Sequence, residues 1–134
     1  MSNIGETFFT SIGCMDGRVH QAITNFGQER YGVKYADTIT EAGLVGQLIK
    51  PDVDPKLLEA VKNKILISIS KHLSKGIIVH GHVECAGNPV EDNLHREQTK
   101  EAAKVVKNMV GAMDIEVLPV FVVRDGDGWR VEEL

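Results

Sequence analysis

The chain has 134 residues, 43% of them hydrophobic and 25% charged, with a formal net charge of −4 at pH 7. That size and balance describe one soluble globular domain spanning 1–134, with a real core. The acidic balance and the lack of a basic stripe argue against nucleic-acid binding, and no apolar run reaches the roughly 20 residues of a membrane span. The start, Met1 to Glu6, lacks the charged segment and apolar run of a signal peptide. Two cysteines make no disulfide scaffold. A reducing, cytoplasmic location is therefore the default, and there a cysteine pair points to metal or redox chemistry.

Phe8 to Gly13 reads as a first strand, and Cys14-Met15-Asp16-Gly17-Arg18 as the turn at its end. Val19, Ile23 and Phe26 then recur at helical spacing, with Gly27 placed to cap the helix. Tyr35 to Ile39 is a second strand. Thr40 to Asp54, with Gly43, Gly46 and Pro51, reads as loop. Asp54-Pro55 opens a second helix that runs to about Leu73, with Leu57, Leu58, Val61, Ile65, Ile69 and Leu73 on one stripe. Ile77, Ile78 and Val79 form a β-branched run suited to a strand buried on both faces. Asp92 or Asn93 caps a third helix to about Val110, with Leu94, Ala102, Val105, Val106 and Met109 inward. Ile115 to Val123 is a strand, Asp125-Gly126-Asp127-Gly128 a hairpin turn, and Trp129-Arg130-Val131 the return strand.

Strands alternate with helices until the closing hairpin. The pattern predicts an α/β fold: a parallel sheet, helices on both faces, and a C-terminal antiparallel edge strand. Sites in such sheets sit beyond the carboxyl ends of the strands. Cys14 and His82 both fall at such ends, and Cys85 follows His82 by three residues. The three are candidate ligands of one metal ion, and two thiolates with one imidazole suit Zn²⁺. A fourth position would then hold water, whose pKa falls to about 7 on zinc. Asp16, two residues from Cys14, either orients that water or ligates the metal itself. Arg18 is placed to hold Asp16 by a charge-assisted pair. Gly17 and Gly87 leave room for close approach of backbone and solvent.

Cys14-x-Asp16-x-Arg18 and Gly81-His82-x-x-Cys85 together resemble the two motifs of the β-class carbonic anhydrases, in the same order and context. The resemblance extends from about Phe8 onward. It implies a β-carbonic-anhydrase-like fold, a zinc ion on Cys14, His82 and Cys85, and an Asp16–Arg18 dyad orienting a zinc-bound hydroxide. The implied reaction is reversible hydration of carbon dioxide to bicarbonate. A homodimer or higher homo-oligomer is also implied. Two local departures stand out: Ala86 precedes Gly87, and Glu41-Ala42-Gly43 stands where many members carry Asn-Ala-Gly. Two other readings stay open. One is hydrolysis of carbonyl sulfide or carbon disulfide. The other is a non-catalytic zinc- or anion-binding protein whose fourth zinc position is closed by Asp16.

Each residue also has a plainer reading. Cys14 taken alone is a buried small hydrophobe. A Cys14–Cys85 redox pair would leave His82 unexplained. Asp16 could be a helix cap and Arg18 a surface charge. His80 reads as a packed strand residue, with a supporting role beside His82 as the alternative. His20, His72 and His95 read as solvated helical residues, and Glu84 as facing solvent or a partner copy. The acidic hairpin turn lacks the distal Glu of a calcium loop.

Overall fold

The computed structural model describes residues 5–134. In chain order the elements are β1 (Phe8–Cys14), α1 (His20–Tyr31), β2 (Tyr35–Glu41), α2 (Leu44–Leu48), α3 (Pro55–Ser70), β3 (Ile77–His82), α4 (Asp92–Val110), β4 (Val117–Asp125) and β5 (Gly128–Glu133). The five strands form one sheet in the order β2-β1-β3-β4-β5. All neighbours are parallel except β4 and β5, which pair antiparallel across the Asp125–Gly128 turn. This is the expected α/β architecture. Among the described residues, no helix is long and apolar enough to cross a membrane.

The central strand β3 is buried along its whole length. Its β-branched residues feed two cores by strand alternation. Ile77 and Val79 pack with Ile12, Leu48, Ile65 and Val106 beneath α2, α3 and α4. Ile78 packs with Phe9, Ile23, Val120 and Val122 beneath α1. Each fully buried Ile or Phe of this kind contributes about 1.5–3 kcal/mol. The strand ends, and the residues that follow them, are thereby held in a rigid row.

Several local expectations are corrected. α1 does not stop at Gly27. A Cβ there would sit 2.2 Å from the Phe9 ring, so this glycine serves packing inside the helix. The helix runs on to Tyr31 and is capped by Gly32 in the left-handed conformation (φ 64°). The stretch from Thr40 to Asp54 is not all loop. It contains α2, which buries Leu44, Val45 and Leu48.

α3 begins as expected, with Pro55 in its first turn and Asp54 Oδ1 accepting from the Lys56 N–H at 2.9 Å. It ends at Ser70, short of Leu73. Leu73 turns left-handed (φ 54°), and the Ser74 N–H returns to the Ser68 carbonyl at 3.1 Å. Leu73 therefore leaves the apolar stripe and is 59% exposed. Ser68 takes an inward place and reaches Thr10 and Asp37, both at 2.7 Å.

α4 is capped by Glu91, whose side chain accepts from the Asn93 N–H at 3.2 Å, not by Asp92 or Asn93. Its inward stripe is His95, Thr99, Ala102, Val106 and Val110. Leu94 lies off that phase and is exposed. β4 starts at Val117, because the Ile115 N–H is taken by a turn to the Met113 carbonyl.

Candidate metal centre

β1 and β3 are adjacent and in register, with Gly13 opposite His80. Their ends therefore release Cys14 and His82 side by side. The chain then turns at Glu84, whose φ of 58° is left-handed and costly for a residue with a Cβ. That turn brings Cys85 back beneath Cys14, with the two Sγ atoms 3.8 Å apart. The ligand atoms of Cys14, His82 and Cys85 all lie within 4.8 Å of one another, and all three residues are buried.

His82 Nδ1 donates to the Val83 carbonyl at 2.7 Å. A carbonyl only accepts, so Nδ1 carries the proton and Nε2 is a bare acceptor. Among the described residues, nothing hydrogen-bonds that buried Nε2. An orphaned buried acceptor facing two thiols is an unfavourable arrangement on its own. It suits a zinc ion well. Two sulfurs at about 2.3 Å from a tetrahedral ion stand about 3.8 Å apart, which is the Sγ–Sγ distance here. Without a metal, burial pushes the Cys85 thiol up and the neighbouring Cys14 adds to the shift. Burial likewise lowers His82, so the imidazole is neutral and ready to ligate.

Two glycines close the roof over the sulfurs. Gly43, in the left-handed conformation at the start of α2, donates its N–H to Cys14 Sγ at 3.4 Å. A Cβ on Gly43 would lie 2.4 Å from the Gly87 carbonyl, and one on Gly87 would lie 2.6 Å from the Gly43 nitrogen. The two loops can press together only because both lack side chains. Sequence reasoning found room at Gly87 but missed Gly43 and its bond to sulfur. The signal was the Gly43–Leu44 junction, where a loop glycine precedes an apolar run. At Gly17 the space is open: beyond its chain neighbours, no described residue comes within 4 Å of an added Cβ.

Asp16 and Arg18 do meet. Arg18 Nε donates to Asp16 Oδ1 at 3.0 Å and Oδ2 at 3.2 Å, and Nη2 donates to Oδ2 at 2.7 Å. The Arg18 backbone N–H adds a bond to Oδ1 at 3.0 Å. The Arg18 side-chain bonds outweigh partial burial and hold the Asp16 carboxyl down at about 2. Asp16 Oδ2 is 4.0 Å from His82 Nε2. The carboxylate thus borders the candidate metal centre while the guanidinium engages both its oxygens.

Of the remaining histidines, His80 matches its expectation and the others depart from it. His80 is packed, as read, with its ring where a Cβ on Gly13 would collide. Neither ring nitrogen has a partner among the described residues, so it gives the ligands no hydrogen-bond support. Burial pushes it down to about 3. His20 is not simply solvated: its Nε2 donates to the Cys14 carbonyl at 3.0 Å and its ring meets His80 edge-on at 5.7 Å. His72 donates to Asp37 at 2.7 Å and stacks on Phe8. His95 is buried against Phe121, because it lies on the inward phase of α4. Glu84 is half-exposed but engaged, bonded in a fork by Arg124.

Residues 4–134 match the family model described as "Putative carbonic anhydrase". The chain belongs to this carbonic anhydrase family. Its fold is that of the β-carbonic anhydrases. It is similar to the β-carbonic anhydrase CafA of Aspergillus fumigatus, with 16% identity and a TM-score of 0.61, over 96% of this chain and 76% of that one. It is similar to β-carbonic anhydrase isoform I of Trichomonas vaginalis to the same degree, with 16% identity and a TM-score of 0.61, over 99% of this chain and 86% of that one. No curated protein matches the chain in sequence.

Proposed function

We propose that this chain is a zinc enzyme that reversibly hydrates carbon dioxide to bicarbonate. The observation that carries this reading is the bare, buried Nε2 of His82 facing the two sulfurs, with the clamped Asp16 carboxylate at its side. Cys14, His82 and Cys85 hold the zinc. Bound there, zinc supplies the Lewis acidity that makes water a nucleophile near neutral pH.

The chain's own groups do the rest. Val83 holds the His82 tautomer through Nδ1. Gly43 draws charge from the Cys14 sulfur through its N–H. Asp16 accepts a hydrogen bond from the attacking water, which leaves a lone pair aimed at the substrate carbon. With its carboxyl held at about 2, Asp16 stays an acceptor throughout the neutral range. Arg18 keeps both Asp16 oxygens occupied and so favours the orienting role over ligation by Asp16. Water oxygen bonds to carbon, and bicarbonate and one proton leave. The reading includes a single domain over 1–134, assembly as a homodimer or higher oligomer, and a cytoplasmic setting, all motivated by the sequence and the family resemblance.

Stopped-flow carbon dioxide hydration tests this, with zinc content measured on the same sample at pH 7 and near pH 9. Hydration above buffer at both is expected. Hydration only near pH 9 would put Asp16 on the metal at lower pH. Zinc-loaded protein inactive at both would refute the assignment.

A further inference from the structure

Arg18 is 45% exposed on a long side chain. An exposed ion pair alone is worth about 0–1 kcal/mol, too little to hold a carboxylate in one orientation. The structure surrounds this arginine with three further groups from outside the dyad. Nη2 of Arg18 donates to the Glu84 carbonyl at 3.2 Å, and Nη1 lies 3.6 Å from Glu84 Oε1. The Glu84 carboxylate is itself gripped by Arg124, Nε to Oε2 at 3.0 Å and Nη2 to Oε1 at 2.9 Å. Trp129, opposite Arg124 in the β4–β5 ladder, carries both guanidiniums: Arg124 at 4.2 Å and Arg18 at 5.3 Å from the ring centre.

We propose, resting on the role given to Asp16 above, that Glu84, Arg124 and Trp129 are positioning residues for the dyad. They form a bracket on the C-terminal hairpin that fixes Arg18 and, through it, the direction of the Asp16 carboxylate. The charges support this. Two guanidiniums against one ring would repel each other, but Asp16 and Glu84 supply two negative charges between them. The fork at Arg124 and the stack on Trp129 are planar contacts that restrict rotation far more than a point charge does. Glu84 also accounts for its own backbone. At this left-handed turn its carbonyl accepts from Arg18, while His82 before it and Cys85 after it belong to the candidate ligand cluster. Strained residues of this kind persist where surrounding contacts over-determine them.

The bracket makes a prediction that needs neither metal nor turnover. Arg124→Gln and Glu84→Gln, both at exposed positions, should speed solvent exchange of the Arg18 Nε–H, followed by NMR, by about tenfold relative to the unsubstituted protein. Arg130→Gln, on the same hairpin but paired among the described residues with Glu132, should leave it unchanged. Trp129→Leu should also speed the exchange, and Trp129→Phe, which keeps a ring face, should restore most of the protection. Unchanged exchange in both Arg124→Gln and Glu84→Gln would overturn the bracket, whatever the activity. In the zinc-loaded enzyme, Arg124→Gln should lower kcat about tenfold with KM little changed, and add nothing in an Arg18→Gln background. An equal loss in both backgrounds would overturn positioning through Arg18. Normal exchange effects in a protein that never hydrates carbon dioxide would leave the bracket standing and remove the proposed reaction instead.

Discussion

The sulfurs of Cys14 and Cys85 stand 3.8 Å apart although 71 positions separate them in the chain. Only the sheet brings them together, and only the left-handed turn at Glu84 aims the second at the first. If they share a zinc ion with His82, Cys85→Ser replaces a thiolate with a poor neutral ligand. Zinc affinity should then fall by more than about 100-fold, beyond what loss of an outer-shell partner costs. Competition against a chromophoric chelator measures this, and near-full zinc retention would show that the ligand set is wrong.

Asp16→Asn keeps the shape of the carboxylate but loses its charge and one acceptor. The expected result is a kcat/KM lower by about 10²–10³-fold with zinc content unchanged, the scale of losing one positioned group at a reacting centre. Stopped-flow hydration and metal analysis on the same preparation decide it. Full activity in this variant would make Asp16 a bystander.

Gly13→Ala tests the packing that sets Cys14. Its Cβ would fall 2.3 Å from the His80 ring, which is buried on every side. Overpacking of this kind costs about 1–3 kcal/mol. Urea denaturation should show the loss as a lower midpoint at constant slope. A midpoint equal to that of the unsubstituted protein would mean the His80 ring moves freely.

Acid should weaken the fold through its buried histidines. His95 is held down to about 4 and His80 to about 3, chiefly by burial. Both titrate near 6.5 when unfolded. Between those values the unfolded chain binds more protons, so stability rises with pH and is lost as pH falls from about 6.5 through 4 toward 3. Melting of metal-free protein across that range should show a steeper decline than melting of His95→Leu. Parallel curves for the two would remove His95 as a source of acid sensitivity.

Much of the fold was legible because its signals are local. Asp54-Pro55 is a self-contained helix start, and the Ile77–Val79 run can be satisfied only inside a sheet covered on both faces. The errors fall where a distant residue decides. Gly27 reads as a helix stop until the Phe9 ring is seen to occupy its Cβ space. Leu94 and His95 are neighbours, and only the phase of α4 against the sheet turns the histidine in and the leucine out. α2 was missed because a five-residue helix carries too little periodicity to announce itself.

The sequence by itself determined the candidate ligands Cys14, His82 and Cys85, the Asp16–Arg18 pair, and their place at strand ends, since spacing and strand pattern are properties of short segments. Only the tertiary structure decided that the sulfurs meet at a tetrahedral spacing, that His82 presents a bare Nε2, that Gly43 reaches Cys14, and that Trp129 and Arg124 stand behind Arg18. Those relations join segments tens of residues apart. Sheet register and the packing of rigid side chains set them, and no local pattern in a sequence encodes either.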